Sequence, residues 1–202
     1  MRSFNLNIEK AQSIIKKFLK TSNRPMFVAI DGRSGTGKST IANELAKRLG
    51  GVVILSDDFW VGGTDSEWLA RKPKERASLA IDWMRIKSDV LEPLLAGKRA
   101  SWHPFDWEKG SGLSEKYIHA DSKQLIILDG AYSTRPELLD LIDLSILVEL
   151  TNDFIRRERL VKRESREYMT NWHNIWDSAE DYYFTEIKTR ASFDIIIAND
   201  LQ

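Results

Sequence analysis

Asp31-Gly-Arg-Ser-Gly-Thr-Gly-Lys-Ser-Thr40 is the most informative segment of this chain. It has the spacing G-x-x-x-x-G-K-[ST] of a phosphate-binding loop (P-loop), with Gly32, Gly37, Lys38 and Ser39 at the fixed positions. Glycines permit positive φ angles and carry no side chain, so successive backbone N–H groups can point at phosphate oxygens. We expect Lys38 to reach the β- and γ-phosphates and the Ser39 hydroxyl to ligate Mg²⁺.

The sequence on either side of the loop supports this interpretation. Residues 25–30 form a short apolar run typical of a buried strand, and residues 39–49 carry apolar side chains at helical spacing. A strand, a glycine loop and a helix in this order place a helix N-terminus beneath the bound anion. We therefore expect the nucleotide phosphates to contact Gly32, Ser34, Gly35, Thr36, Gly37, Lys38, Ser39 and Thr40.

Composition sets the broad class of the protein. The 202 residues include 30 Lys and Arg and 30 Asp and Glu, so the net charge is zero and no nucleic-acid partner is expected. Cysteine is absent, which excludes disulfides and thiolate chemistry. No apolar run approaches the roughly 18–20 residues of a membrane span, and we expect no secretory signal. We expect a cytoplasmic protein without a membrane partner, and the oligomeric state stays open.

Apolar runs and helical periodicity predict a single domain over residues 1–202. A helix at residues 7–20 lies in an N-terminal portion, 1–24, and lid and C-terminal helices occupy 151–190. A further helix is expected over 78–96, with a kink at Pro93. The predicted fold is a three-layer α/β/α sandwich around a five-stranded parallel sheet. Its strands are expected near residues 25–30, 52–55, 124–128, 144–150 and 194–198.

Asp57 and Asp58 directly follow the second predicted strand. Doubly wound sheets bind ligands at the carboxyl ends of their strands, so one of these acids is a candidate to orient or deprotonate an acceptor hydroxyl. The alternative is a helix N-cap beside a solvated acid. Repulsion between the two carboxylates can raise one pKa.

Two later segments carry further candidates. Residues 99–107 combine tryptophan, histidine, phenylalanine and an acid, which suits either a planar ligand ring or a half-buried edge strand. Residues 124–128 form an apolar strand that ends in Asp129, the form of a Walker-B strand whose carboxylate holds Mg²⁺ opposite Ser39. The aromatic region from Trp172 to Phe184 is expected to pack in the core and lid.

A strongly charged helix is predicted after residue 153. Arg156, Arg159 and Arg163 share one face of it, at i, i+3 and i+7. Such runs are usually solvated and paired with acids. A phosphoryl-transfer site, however, needs cations that close over the triphosphate, and this cluster can supply them.

Together these segments resemble the uridine kinase-like group of P-loop kinases, which also includes nicotinamide riboside kinase and phosphoribulokinase. The likeness runs from about residue 26 to residue 199. The loop at 31–40 looks like that of the group, and Ser-Asp-Asp-Phe at 56–59 looks like its S-x-D-[SD]-[FY] segment. By that match Asp57 is the base and Asp58 the reserve candidate. The arginine-rich helix resembles the lid, in which we assign a catalytic role to Arg159.

The resemblance also implies substrate contacts. Ile-Asp-Trp at 81–83 is similar to the group's F-D segment, which implies that Asp82 meets sugar hydroxyls. Pro-Phe-Asp-Trp at 104–107 looks like the P-x-Y-D-F segment that contacts the nucleoside, which implies Phe105 and Asp106. This chain has Asp129 where the group usually has glutamate and Phe105 where it has tyrosine, and Trp60, Trp102 and Trp107 make the expected pocket bulkier.

These features lead to one principal expectation. We expect an ATP- and Mg²⁺-dependent kinase that phosphorylates a hydroxyl of a small metabolite, most simply a nucleoside. A kinase for a non-nucleoside, or an ATP- or GTP-binding regulatory protein without an acceptor, are the alternatives. A guanine-specific switch is expected to carry N-K-x-D, and Asn199-Asp200 does not match that pattern.

Overall fold

The structure of the protein is a computed structural model that describes residues 2–163 and 171–200. Within these ranges, side chains are described from residue 8 to 162 and from 171 to 200. No helix in the described ranges is long and apolar enough to cross a membrane. The described strands are β1 (Met26–Asp31), β2 (Val52–Leu55), β3 (Ala100–Trp102), β4 (Ile118–Ala120), β5 (Leu125–Asp129), β6 (Leu144–Glu149) and β7 (Ile195–Ala198).

Five of these strands form one sheet in the order β2-β5-β1-β6-β7, and every pairing in it is parallel. The central strands β1 and β5 are buried along their whole length, which explains their unbroken apolar sequence. Alternate residues of β1 point to opposite faces of the sheet. Phe27 joins the core on one side of the sheet, and Val28 joins the core on the other. The predicted five-stranded parallel sheet is confirmed.

Helices cover both faces of the sheet, as the three-layer prediction requires. The described α-helices are α1 (Arg2–Thr21), α2 (Lys38–Leu49), α3 (Asp65–Ala70), α4 (Pro73–Leu79), α5 (Trp83–Arg85), α6 (Glu92–Leu95), α7 (Asp153–Arg163) and α8 (Ser178–Tyr182). Three π-helical stretches extend them, at Ile86–Leu91, His173–Asp177 and Tyr183–Ile187. Short 3-10 helices occupy Ser56–Phe59, Pro136–Leu138 and Arg190–Ser192.

The predicted helix at 78–96 is wrong at its N-terminal end. α4 ends at Leu79, which is 51% exposed, and the chain then pairs Ile81 with Trp60 in an isolated antiparallel bridge. The helix starts again after Asp82, because the Asp82 side chain accepts the backbone N–H of Arg85 at 3.1 Å. From there the helical chain runs through the π-helical stretch Ile86–Leu91 and past Pro93 to Leu95.

Other local predictions also need correction. Within residues 99–107 the structure has strand β3, and its antiparallel partner β4 was not predicted. Between β5 and β6 the chain forms a single 3-10 turn, Pro136–Leu138. Towards the end of the helical region expected over 151–190, the structure has α8 followed by the π-helical stretch Tyr183–Ile187.

The strand order positions the site. From β1 the chain passes through α2 to β2 on one side, whereas from β5 it passes to β6 on the other side of β1. In doubly wound sheets such a reversal opens a crevice at the carboxyl ends of the two neighbouring strands, here β1 and β5. The P-loop begins at the carboxyl end of β1, and Asp129 is the last residue of β5, so both lie at this crevice.

Candidate active site

The P-loop has the backbone geometry that its sequence predicts. Gly35 and Gly37 have φ angles of 84° and 91°, in the left-handed region that favours glycine. α2 begins directly after them, with no side-chain cap at Gly37 and no acidic residue in its first turn. Its first backbone N–H groups therefore lack a competing side-chain anion, which suits a phosphate.

Two glycines of the loop also allow close packing. A Cβ at Gly32 would lie 2.1 Å from the carbonyl oxygen of Val148, and one at Gly37 would lie 2.3 Å from Asn199 Nδ2. Asn199 Nδ2 donates to the Thr36 carbonyl at 2.7 Å. The loop is thus held against β6 and the turn after β7, and Asn199 contacts it directly.

Lys38 and the neighbouring polar side chains fold back onto the loop. Lys38 Nζ donates to the Arg33 carbonyl at 3.1 Å, and Thr36 Oγ1 donates to the same oxygen at 2.8 Å. Lys38 is only 9% exposed. Ser39 and Thr40 are exposed on the first turn of α2. Lys38 therefore lies within the phosphate-binding loop.

Ser39 and Asp129, the expected magnesium ligands, lie together. Asp129 is 4% exposed, and burial raises the pKa of its carboxyl, while the Lys38 charge and a hydrogen bond with the Ser39 side chain lower it. Its Oδ1 is buried without a hydrogen-bond partner among the described residues. An unsatisfied carboxylate oxygen beside a hydroxyl fits a hard cation such as Mg²⁺.

Asp31, at the end of β1, anchors the P-loop through several hydrogen bonds. Its carboxylate is fully buried and accepts the backbone N–H groups of Gly32, Tyr132 and Thr134, at 2.7, 2.9 and 3.0 Å. The hydroxyls of Thr134 and Tyr183 donate to it at 2.6 and 2.9 Å. Burial raises the pKa of Asp31, and these hydrogen bonds lower it. One carboxylate thus joins the P-loop to the chain after β5 and to the C-terminal helices.

Tyr132 adopts a strained backbone conformation beside Asp31. It is the described non-glycine residue with positive φ, at 67°, and it is 4% exposed. A positive φ angle costs free energy in any residue other than glycine, and contacts with the surrounding structure must offset that cost. The Asp31 bond and the edge-on contact with Tyr183, at 4.9 Å between ring centroids, hold it in place. Tyr132 lines the cavity described next.

A cavity of about 690 Å³ opens beside the P-loop. Ser34 of the loop and Asp57 both line it, so a molecule bound there lies next to the phosphate site. The rest of its wall is mainly aromatic. The aromatic lining residues, besides Tyr132, are Trp60, Trp68, Phe105, Trp107, Trp172 and Trp176.

Asp57 and Asp58 occupy different environments. Asp57 is exposed and lines the cavity. Asp58 does not line it, and its Oδ2 accepts the indole N–H of Trp102 at 3.0 Å. Burial raises the pKa of Asp58, the Trp102 bond lowers it, and the charge of Asp57 raises it further. Of the two acids, Asp57 alone faces the cavity.

The other residues expected to contact the acceptor are placed unevenly. Phe105 lines the cavity and packs edge-on against Trp107 at 4.8 Å. Asp82 caps the helix at Arg85, and Asp106 accepts the backbone N–H groups of Glu108 and Lys109 at 3.1 and 3.0 Å. Neither acid lines the cavity. Trp102, expected to enlarge the pocket, stacks on Phe59 outside it, whereas Trp60 and Trp107 do line it.

The C-terminal helices contribute residues that sequence reasoning did not assign to the site. Trp172, Trp176 and Glu180 line the cavity at intervals of four residues, the spacing of one helical face. The expectation for this aromatic region was core and lid packing. Trp176 does join the core, but it also forms part of the cavity wall. The spacing was readable in the sequence, although the same spacing is typical of a core stripe.

Glu180 and Asp181 both join these helices to the P-loop, and Asp181 does so by an ion pair with Arg33. Glu180 Oε1 accepts the backbone N–H of Ser34 at 2.8 Å, and the residue is 1% exposed. Its Oε2 is buried without a hydrogen-bond partner among the described residues. Burial raises the pKa of Glu180, while the bond to Ser34 and the charges of Lys38 and Arg156 lower it.

The lid arginines differ from one another. Arg156 is 2% exposed and makes ion pairs with Asp153, Asp177 and Glu180, at 2.6, 3.1 and 3.8 Å. Its Nη1 donates to the Ser34 carbonyl at 3.3 Å. The sequence left two interpretations open, a solvated cation paired with acids or a mobile cation that closes over the triphosphate, and the structure fixes Arg156 in a buried network with three carboxylates.

Arg159 lies beside the start of α2. Its Nη1 would lie 3.7 Å from a Cβ atom placed on Gly37. This position is close to the backbone that a phosphate would contact. The side chain of Arg163, the third expected lid cation, lies outside the described residues.

Comparisons with known proteins agree with this geometry. The family model described as "AAA domain" matches residues 28–181, more than half of the chain. The chain is 31% identical to a uridine kinase of Lactobacillus johnsonii over 152 residues, which is 72% of this chain and 71% of that protein. It is 29% identical to a uridine kinase of Lactiplantibacillus plantarum over 150 residues, which is 71% of this chain and 70% of that protein.

A solved structure has the same fold. It is described as a possible uridine kinase from Bacillus stearothermophilus and superposes with a TM-score of 0.68 at 20% sequence identity. The match covers 93% of this chain and 99% of that chain. Fold, phosphate loop and relatives agree, and this chain belongs to the uridine kinase-like family of P-loop kinases.

Proposed function

We propose that this protein transfers the γ-phosphate of ATP to a hydroxyl of a small molecule, most simply a nucleoside, with the help of Mg²⁺. The family supports a kinase with a small-molecule substrate. One observation carries the rest of the proposal. A single cavity is lined by Ser34 of the phosphate loop, by the exposed carboxylate Asp57 and by aromatic rings. It can accommodate a ring-bearing acceptor next to the transferable phosphate.

The triphosphate would be held by the P-loop. Backbone N–H groups at Gly35, Gly37 and the start of α2 would bind its oxygens. Lys38 would exchange its bond to the Arg33 carbonyl for the β- and γ-phosphates. Arg159, near Gly37, would add a positive charge. Arg156 would act indirectly, by holding α7 against the loop at Ser34.

Ser39 and Asp129 would hold Mg²⁺. The unpaired Oδ1 of Asp129 and the adjacent Ser39 side chain provide oxygen ligands of the kind that this ion prefers. In the described ranges no three His, Asp or Glu side chains converge on one metal position. Water and phosphate oxygens would therefore complete the shell. When bound, the ion would offset negative charge on the phosphates.

Asp57 would position the acceptor hydroxyl and accept its proton. In the transfer, the acceptor oxygen forms a bond to the γ-phosphorus while the bond from that phosphorus to the bridging oxygen of ADP breaks. The hydroxyl proton passes to the Asp57 carboxylate. The transition state of phosphoryl transfer is loose, so positioning and charge stabilisation contribute more than base strength. The cavity-facing placement of Asp57 suits this role better than that of Asp58.

Phosphate transfer across a panel of hydroxyl-bearing metabolites tests the proposal. The full chain is incubated with γ-labelled ATP and Mg²⁺, with and without each acceptor, and labelled product is separated from phosphate. We expect acceptor-dependent transfer that Lys38→Ala abolishes. Lys47→Ala, an exposed lysine near the end of α2, is the matched control and should leave transfer unchanged. Nucleotide binding without transfer to any acceptor would overturn the proposal in favour of a regulatory protein.

A further inference from the structure

The peptide between Thr36 and Gly37 can point in more than one direction. Gly37 directly precedes α2 and has a φ angle of 91°. Because glycine adopts positive and negative φ about equally well, the loop backbone alone does not fix this peptide. Its carbonyl would repel phosphate oxygens, whereas its N–H would bind them. The orientation of the peptide therefore depends on contacts from outside the loop.

Asn199, in the turn after β7, makes such a contact. Its Nδ2 donates to the Thr36 carbonyl oxygen at 2.7 Å. A trans peptide is planar and its N–H points opposite to its C=O, so this bond directs the Gly37 N–H away from Asn199. In the part of the chain that the structure describes, no backbone carbonyl accepts the Gly37 N–H. That N–H is therefore held in one direction without a backbone partner of its own.

The end of β6 holds Asn199 in place. The backbone N–H of Asn199 donates to the Glu149 carbonyl at 2.8 Å. The next residue, Asp200, accepts the backbone N–H and the hydroxyl of Thr151 at its Oδ1, at 2.7 and 2.9 Å. Two neighbouring residues thus fasten the turn to β6, which fixes the Asn199 amide before a nucleotide arrives. Groups that are fixed in advance lose less entropy on binding.

Arg156 holds a second loop peptide in the same way, but it carries a charge. Its Nη1 donates to the Ser34 carbonyl at 3.3 Å and so directs the Gly35 N–H. Arg156 also pairs with three carboxylates, so replacing it disturbs a buried ion network. Replacing Asn199 by an apolar residue changes no charge beside the phosphates. Asn199 therefore allows the effect of peptide orientation to be measured separately from the effect of charge.

We propose that Asn199 is a positioning residue for the nucleotide: by holding the Thr36 carbonyl, it directs the Gly37 N–H at the triphosphate. Asn199 would act through the loop backbone and would touch neither the base nor the reacting atoms. This inference rests on the proposed function for the triphosphate that the loop binds. The other role open to a polar side chain in this turn is to bind the base, and the two roles predict different results.

Affinity measurements separate the two roles. The full chain is titrated with a non-hydrolysable ATP analogue and Mg²⁺, and inorganic tripolyphosphate, which has no base, then competes for the same site. Asn199→Leu removes the amide with little change in side-chain volume. It should weaken both ligands by about tenfold, the effect of losing a hydrogen bond to a charged group. A loss confined to the ATP analogue, with tripolyphosphate binding unchanged, would show base recognition and overturn the inference.

The Gly37 N–H can also be observed directly, which decides the question whatever the affinity of tripolyphosphate. Thr36-Gly37 is the only Thr-Gly pair in the sequence, so carbonyl-¹³C threonine and ¹⁵N glycine labels select one amide signal, that of Gly37. In wild type the ATP analogue should shift this proton downfield, because a charge-assisted hydrogen bond to phosphate deshields it. At saturating analogue the shift should be smaller in Asn199→Leu. An equal shift in both proteins would overturn the inference.

Asn43 provides the matched control. Its Nδ2 donates to the Ser39 carbonyl at 2.8 Å, an exposed bond within α2. Asn43→Leu therefore also removes one bond from a side-chain amide to a carbonyl, but it should leave the affinities and the Gly37 signal unchanged. An equal loss of affinity in Asn43→Leu would contradict the inference. Thermal unfolding checks that each variant folds, and Asn199→Ala, which also lacks the donor, replaces Asn199→Leu if that variant does not fold.

Nucleotide binding and phosphate transfer have separate outcomes. Transfer to an acceptor, with an affinity for the ATP analogue and a Gly37 signal that Asn199→Leu leaves unchanged, would support the proposed function and overturn this inference. A nucleotide affinity and a Gly37 shift that Asn199→Leu reduces, without transfer to any acceptor, would support this inference and contradict the proposed function.

Discussion

The carboxylate of Glu180 accepts the backbone N–H of Ser34 at 2.8 Å, and this bond ties the C-terminal helices to the phosphate loop. The two residues are 146 positions apart in sequence. Glu180 also approaches Arg156, whose Nη1 donates to the Ser34 carbonyl. The N–H and C=O of one loop residue are therefore both held by side chains from the C-terminal part of the chain. This coupling makes the position of the P-loop depend on the C-terminal helices that line the cavity beside it.

The first prediction concerns pH and Glu180. Burial raises the pKa of Glu180 above its value in the unfolded chain, about 4.3, so between the two values the folded state binds more protons. The free energy of unfolding must then fall as pH rises through that window, by at most about 1.4 kcal/mol per pH unit from this group. Glu180→Gln removes the titration and keeps an acceptor for Ser34.

Urea unfolding of wild type and Glu180→Gln from pH 4 upwards measures this effect. We expect the stability of the variant relative to wild type to increase with pH. Glu137→Gln, a carboxyl whose pKa is lowered by its pairing with Arg135, should show the opposite trend, and the scan is extended below pH 4 because that trend is confined to pH values below about 4.3. A relative stability of Glu180→Gln that does not change with pH would show that the Glu180 pKa is not raised in the folded protein.

The second prediction concerns the buried arginine of α7. Arg156→Met would leave Asp177 and Glu180 without their buried cation. Removing one partner of a buried ion pair costs about 3–5 kcal/mol of stability. Arg157→Met is the matched control, because Arg157 pairs with the same Asp153 but is about half exposed, and exposed pairs contribute at most about 1 kcal/mol.

Denaturant unfolding of both variants gives the two values. Nearly equal losses of stability for Arg156→Met and Arg157→Met would contradict the buried network. A loss confined to Arg156→Met would show that this residue fastens the lid helix to the loop. Nucleotide affinity should fall in the same variant, since Arg156 also holds the Ser34 carbonyl.

The third prediction concerns the space at Gly32. A Cβ there would lie 2.1 Å from the backbone oxygen of Val148, which cannot move without shifting β6. We expect Gly32→Ala to destabilise the protein by more than about 2 kcal/mol, because overpacking adds to the cost of its positive φ. Gly50→Ala has φ of 70° and no atom within 4 Å, so it should lose only about 1 kcal/mol. Thermal or urea unfolding compares them, and equal losses would show that β6 does not contact the loop so closely.

Much of the nucleotide-binding half could be predicted from local sequence. The P-loop motif, the apolar strand before it and the helix after it are continuous in the chain, so spacing alone identifies them. Asp129 ends an unbroken apolar run, and that pattern predicts both a buried central strand and a carboxylate at its end. These predictions depend on residues that are neighbours in sequence.

The aromatic cavity and its surroundings were harder to predict, because their residues converge from distant segments. Asp31 meets Tyr183 across 152 positions, and no local pattern marks that hydrogen bond. The Trp172, Trp176 and Glu180 face was visible as a helical stripe, but such stripes usually pack in cores. Arg156 looked solvated because its carboxylate partners Asp177 and Glu180 lie outside its own helix. Tertiary packing, rather than periodicity, decided each of these positions.

The central claim, phosphoryl transfer with Asp57 at the acceptor hydroxyl, is tested most directly by the turnover of Asp57→Asn. With the best acceptor from the metabolite panel, kcat should fall by about 10²–10⁴-fold, the range for loss of a general base, while affinity for a non-hydrolysable ATP analogue stays the same. Asp58→Asn, whose parent side chain is bonded to Trp102 outside the cavity, should retain much more activity. A kcat of Asp57→Asn close to that of wild type would contradict the account.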